Sequence, residues 1–144
     1  LLGLQLYNVT GQQQYGDTAL MLYHWVNQKL KAADKLFYDA VQLPLQQIDT
    51  RKFTYNTGTM LQRAVLLFQQ YGDTAYLAAA QAISRQSLLH FYNKGYFSEN
   101  YWFNAVLLRG YEALYKADGN HNIHKNHGAY AQIAGITEPI TGFL

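Results

Sequence analysis

An all-α fold built from helical hairpins is predicted by three observations: an internal repeat centred on glycine, apolar residues recurring at helical spacing, and few strand signals. The repeat reads Leu6-Tyr7-x3-Gly11-x3-Tyr15, Leu67-Phe68-x3-Gly72-x3-Tyr76 and Leu114-Tyr115-x3-Gly119-x3-Ile123. A Leu-aromatic pair ends one helix, the glycine supplies a left-handed turn, and an aromatic or Ile opens the next helix. The three copies predict six helices in three antiparallel pairs, near 1–10, 13–33, 57–70, 74–92, 101–117 and 121–134. The hairpins then lie near 1–33, 57–92 and 101–134, in one domain spanning 1–144.

The elements follow in order. Leu22, Trp25, Val26 and Leu30 form the apolar stripe expected of the second helix. Leu61, Ala64, Val65 and Phe68 form that of the third. Asp73 stands where the fourth helix needs an N-cap, ahead of Leu77, Ala80, Ser84 and Leu88 on one face. Val106, Leu107, Gly110 and Leu114 mark the fifth, whereas 121–134 is weakly amphipathic. The linkers at 34–56 and 93–101 break the regularity and concentrate aromatics, and variable linkers on a helical scaffold are where function usually resides.

Composition narrows the functional classes. The 144 residues are 49% hydrophobic and 14% charged, with a net charge of +2, which argues against binding nucleic acid by bulk charge. Cysteine is absent, which removes disulfides, thiolate chemistry and Cys-based metal sites. No apolar run approaches the ~20 residues of a membrane span. Thirteen Tyr and fourteen Gln suggest a surface of neutral hydrogen-bonding groups and flat apolar faces, which suits a sugar. His121, His124 and His127 stand three apart, a spacing that turns them off a common helical face, so no metal site is expected. No phosphate-binding glycine loop is evident, and no cofactor is expected.

The run Phe53-Thr54-Tyr55-Asn56-Thr57-Gly58, with Leu36-Phe37-Tyr38-Asp39 before it and Leu67-Phe68-x3-Gly72-Asp73-x2-Tyr76-Leu77-x2-Ala80 after it, resembles glycoside hydrolase family 76, the α-1,6-mannanases. The resemblance covers most of residues 4–115. It implies an (α/α)6 toroid, of which about three of six hairpins lie in this chain. It also implies a retaining hydrolase of α-1,6-mannan or a related glycan, with an adjacent Asp–Asp pair as the catalytic carboxylates. No two of the nine acids here are neighbours, and the family's pair lies upstream of the matching segment. Leu1-Leu2-Gly3-Leu4 enters an apolar pattern without a Met or a basic run. The expectation is therefore a chain that starts inside a longer protein, lacks the catalytic half and is inactive alone. Its open apolar flanks would pack against the missing half of the barrel, or make the isolated chain dimerise or aggregate. Localisation is not readable.

Tyr55, Asn56, Asp39 and Trp102 are the candidates for the glycan groove. An Asn offers donors and an acceptor for sugar hydroxyls, and a Tyr or Trp offers a ring face. The competing readings are structural: Asn56 or Thr57 as an N-cap with Tyr55 packed beside it, Asp39 and Asp49 as turn or cap residues, Trp102 in the core. Asp39 and Asp49 approach each other if their linker folds back. Glu99, among Tyr96, Phe97, Tyr101 and Trp102, is either a cap or a desolvated acid. The segment Tyr101 to Arg109 resembles the family's Phe-Lys-Gly-x3-Arg helix, with Asn104 in place of Lys and Ala105 in place of Gly. The alternative to a hydrolase is a non-catalytic helical module that binds a glycan or a partner through the same aromatic face.

Overall fold

A computed structural model describes residues 2–93 and 95–118. Among the described residues five helices carry the fold: α1 (Leu2–Thr10), α2 (Gln13–Lys29), α3 (Thr54–Tyr71), α4 (Thr74–Phe91) and α5 (Tyr101–Asp118). Two β-hairpins join them, β1 (Tyr38–Gln42) with β2 (Gln47–Lys52), and β3 (Tyr92–Asn93) with β4 (Tyr96–Phe97). The helix expected at 121–134 and the three histidines within it lie outside the described residues. Among the described residues no helix is long and apolar enough to cross a membrane.

The repeat marks the helix ends as its chemistry requires. Gly11 and Gly72 adopt φ of 70° and 69°, and each N–H closes the preceding helix, onto the carbonyls of Tyr7 and Phe68 at 2.8 Å. Asp73 caps α4, its side chain accepting from the Ala75 N–H at 2.8 Å. The stripes of α3 and α5 face the core, with Leu61, Ala64, Val65, Leu107 and Leu114 fully buried. In α4 the buried members are Ala80 and Ser84, with Leu77 and Leu88 packed at the margin.

Three expectations need correction. Of the stripe expected on α2, Val26 packs against the core and Leu30, just past the helix, is buried, but Leu22 and Trp25 are exposed and the buried residues of the helix itself are Gly16, Ala19 and Tyr23. That face is set by the close fit of α1 against small residues of α2, which hydrophobicity alone does not rank. Helix α2 also ends at Lys29, and α3 begins at Thr54, three residues before the expected start. Finally, the linker at 34–56 is not loop but a two-stranded ribbon. Its strands are too short and too half-buried to leave a strong alternation in the sequence.

The contact that organises the molecule is α3 against α5. A Cβ at Gly58 would lie 2.5 Å from the Leu107 backbone, and one at Gly110 would lie 2.9 Å from Leu61 Cδ2. Two glycines thus let the helix axes approach to a separation that side chains would forbid. This brings the first turn of α3 beside that of α5, where the candidate residues stand.

Candidate functional site

The first turn of α3 carries Thr54, Tyr55 and Asn56. Phe53 occupies the N-cap position and offers no side-chain hydrogen bond, so neither Asn56 nor Thr57 caps the helix. The cap comes from another element: Glu99 Oε2 accepts from the Thr54 N–H at 2.8 Å and from the Thr54 hydroxyl at 2.6 Å. A carboxylate at a helix N-terminus is favoured by the exposed N–H groups and by the helix dipole. Glu99 is therefore a cap supplied by the loop before α5. Asn104 locks that loop, donating to the Glu99 carbonyl at 2.7 Å and the Phe97 carbonyl at 3.3 Å. Asn100 in turn caps α5 through the Phe103 N–H at 3.0 Å.

With α3 fixed, Tyr55 and Asn56 meet the ribbon. The Tyr55 hydroxyl and the Asn56 amide both donate to Asp39 Oδ1, the amide at 2.8 Å. The hydrogen bond to Asp39 pushes the Tyr55 phenol above its ordinary range, and burial adds to this. The Tyr55 ring packs with Phe53, stacked at 5.8 Å, and with Phe103, tilted at 4.5 Å, in a three-ring cluster whose other two members meet edge to face at 5.8 Å. Its phenol therefore sits on a ring that three elements hold in place.

Asp39 and Asp49 do approach, because β1 pairs with β2 and Ala40 faces Asp49. One arginine lies between them. Arg51 binds Asp49 through Nη2 at 2.6 Å and Nε at 3.0 and 3.1 Å, and its Nη2 is 4.0 Å from Asp39 Oδ2. The side-chain hydrogen bonds from Arg51, then its backbone N–H, hold the Asp49 carboxyl below the usual carboxylate range. Asp49 is thus an ion-pair partner rather than a second cleft carboxylate.

An open cleft of ≈ 270 Å³ lies beside this cluster, lined by Asp39, Tyr55, Asn56 and Thr59 together with Met60, Arg63, Val26 of α2 and Leu30 just past its end. Sequence reasoning missed Arg63. Its Nε is buried without a hydrogen-bond partner among the described residues, and burial lowers the guanidinium pKa. Seven residues from Asn56 and four from Thr59, it falls on their face of α3, which is the signal that would have found it. Trp102 is not in this cleft and not in the core: it is 84% exposed, at the first turn of α5 beside Phe103. Among the described residues no group of His, Asp and Glu is placed to hold a metal ion.

Comparison with known proteins bears on this arrangement. The model of glycosyl hydrolase family 76 matches residues 1–130. An α-mannanase of that family from Bacteroides thetaiotaomicron superposes with a TM-score of 0.82 at 25% identity, over 90% of this chain and 37% of its own. A family-76 mannosidase from the same organism gives 0.77 at 28% identity, over 85% and 38%. An α-1,6-mannanase from Salegentibacter sp. gives 0.78 at 21% identity over 93% and 42%, a likeness of fold alone. An inactive variant of that enzyme, with two consecutive aspartates replaced by asparagine, was solved with α-1,6-mannotriose bound. No curated protein matches the sequence. The chain spans less than half the length of these solved relatives, and its helices form part of their (α/α)6 toroid.

Proposed function

The chain belongs to glycosyl hydrolase family 76, and we propose on that footing that it forms one wall of the glycan groove of a hydrolase acting on α-1,6-linked mannan or a related glycan. In this reading residues 1–144 are a single part-toroid unit, and an adjacent Asp–Asp pair outside it breaks the glycosidic bond. Tyr55, Asn56 and Asp39 contact the sugar, and Trp102 stacks on a ring farther along the groove.

The observation that carries the reading is the convergence on Asp39. Its Oδ1 takes both the Tyr55 and the Asn56 donor, while Oδ2 makes no hydrogen bond within 3.5 Å among the described residues. A carboxylate with one oxygen saturated and the other open beside a cleft is an acceptor for sugar hydroxyls. It is not a nucleophile or an acid here, because retaining hydrolysis needs a second carboxyl ~5–5.5 Å away, and Asp49 is taken up by Arg51. The wall therefore orients the glycan, and the bond-breaking groups come from elsewhere in the intact enzyme. The missing half of the barrel packs against the exposed faces of α1 and α2, where Leu2, Met21 and Trp25 stand in water.

The test is calorimetric titration of α-1,6-mannotriose, with hydrolysis measured in parallel on a polypeptide extended upstream to include an Asp–Asp pair. Asp39→Asn removes the charged acceptor, and the expected outcome is a ~10-fold or greater loss of affinity with the melting temperature nearly unchanged. Unaltered affinity in Asp39→Asn and Asn56→Ala together would remove these residues from the groove. Binding with no turnover by any extended polypeptide would favour the non-catalytic module.

A further inference from the structure

We propose that Arg51 is a positioning residue for this site: it holds the Asp39 carboxylate so that Oδ1 stays with Tyr55 and Asn56 while Oδ2 is left for a ligand hydroxyl. The proposal rests on the reading of Asp39 as a glycan contact, and its test separates the two.

The ribbon is irregular at this point. Tyr38 pairs with Lys52 and Ala40 with Asp49, so a single residue, Asp39, stands opposite two, Thr50 and Arg51. Such a bulge turns the side chains of the longer strand out of their regular alternation and is a common way to aim a residue. The irregularity sets a guanidinium between two carboxylates of the same ribbon, with Nη2 2.6 Å from Asp49 Oδ2 and 4.0 Å from Asp39 Oδ2. Without it, two like charges on neighbouring strands would repel and turn the Asp39 side chain off its donors.

Arg51 is itself fixed from two sides, although 69% of its side chain is exposed. Asp49 grips it with three hydrogen bonds, and its guanidinium carbon lies 5.6 Å from the Phe53 ring centroid. Phe53 stacks in turn on Tyr55, whose hydroxyl donates to Asp39. The arginine therefore reaches Asp39 by two routes, directly through charge and indirectly through the ring stack. At 4.0 Å it attracts the carboxylate without occupying the oxygen. A lysine would supply the charge but not the planar fork or the stacking face.

Two readouts on the polypeptide extended upstream to include an Asp–Asp pair test this: the phenol titration of Tyr55, followed with 13C-tyrosine, and the side-chain amide resonance of Asn56. The charged groups facing the Tyr55 hydroxyl are Asp39 and Arg51. Arg51→Ala is expected to move the Tyr55 titration to higher pH, shift the Asn56 amide and weaken α-1,6-mannotriose binding roughly three- to tenfold. Arg51→Lys should restore part of the titration and little of the amide shift. An Arg51→Ala chain that melts normally and leaves the Asn56 amide in place overturns the proposal, even if the titration moves, because charge alone would then be the whole effect. Shifted resonances in a chain whose parent binds no mannotriose would uphold the positioning of Asp39 and overturn the glycan reading instead.

Discussion

Replacing Gly58 by Ala tests the packing that places the site. In an isolated helix this substitution is favourable by about 1 kcal/mol, because glycine loses more backbone freedom on folding. Here the added methyl would stand 2.5 Å from the Cα and N of Leu107 and 2.6 Å from the carbonyl carbon of Val106. Those are backbone atoms, so no rotamer change relieves the overlap. Ordinary carbon contacts need ~3.5–4 Å, which requires α5 to retreat from α3 by about 1 Å. The retreat loosens Leu61, Leu107, Tyr111 and Leu114, all buried along the crossing. Overpacking of this kind costs ~1–3 kcal/mol and the voids opened beside it add more. With about 1 kcal/mol for those voids and the propensity gain of about 1 kcal/mol subtracted, the net effect is a loss of about 1–3 kcal/mol. For a chain of this size that lowers Tm by up to roughly 10 °C.

Thermal melts of Gly58→Ala beside Gly72→Ala provide the measurement. At Gly72 an added Cβ meets nothing within 4 Å, but φ is +69°, so the cost is backbone strain alone, about 1 kcal/mol. Gly58→Ala should therefore be the more damaging of the two, and it alone should disturb Tyr55 and Asn56. A Gly58→Ala chain as stable as the parent would refute the argument that a close helix approach, rather than backbone conformation, requires this glycine.

Two further outcomes follow from the same geometry. Glu99→Ala leaves the buried Thr54 N–H without its acceptor and the Thr54 hydroxyl with only the longer bond to Asn104 Oδ1 at 3.3 Å, and should cost about 2 kcal/mol in a denaturant titration, whereas Glu99→Gln should recover part of it; equal stability in all three chains would show that Glu99 is no cap. Asp34 governs part of the acid limb: partial burial works to raise its pKa, but the hydrogen bond from Lys52, the Leu36 N–H and the Lys52 and His90 charges together hold it below the ordinary value. A depressed folded pKa means stability that is present above ~4 and lost as pH falls through the folded value. Lys52→Met should make urea midpoints fall less steeply between pH 4 and 2, and an unchanged slope would exclude this pair as a contributor.

What was legible in the sequence depended on distance along the chain. The turns at Gly11 and Gly72, the cap at Asp73 and the stripe from Leu61 to Phe68 are written within a turn or two of helix, where the physics is local: a left-handed φ, a side-chain acceptor beside its N–H, a period of 3.6. Family membership was legible for a similar reason, because its most specific marks are contiguous runs. The cap on α3 was not legible, since Glu99 lies 45 residues from Thr54 and the natural guess was a cap from the helix's own first residues. Nor was the burial of α2, where small residues facing α1 won over the larger Leu22 and Trp25.

The sequence by itself thus determined the helical hairpins, the family and the residue types that suit a sugar. Only the tertiary structure decided which of them stand together: Asp39 with Tyr55 and Asn56, 16 and 17 residues apart, and Arg51 between Asp39 and Asp49. It also set Trp102, a groove candidate, on the surface outside this cleft and revealed Arg63 on the cleft wall. The reason is that a side chain's partners across a ribbon bulge or a glycine-mediated helix crossing are set by how close two backbones come. That separation is a property of both elements at once, and neither segment encodes it alone.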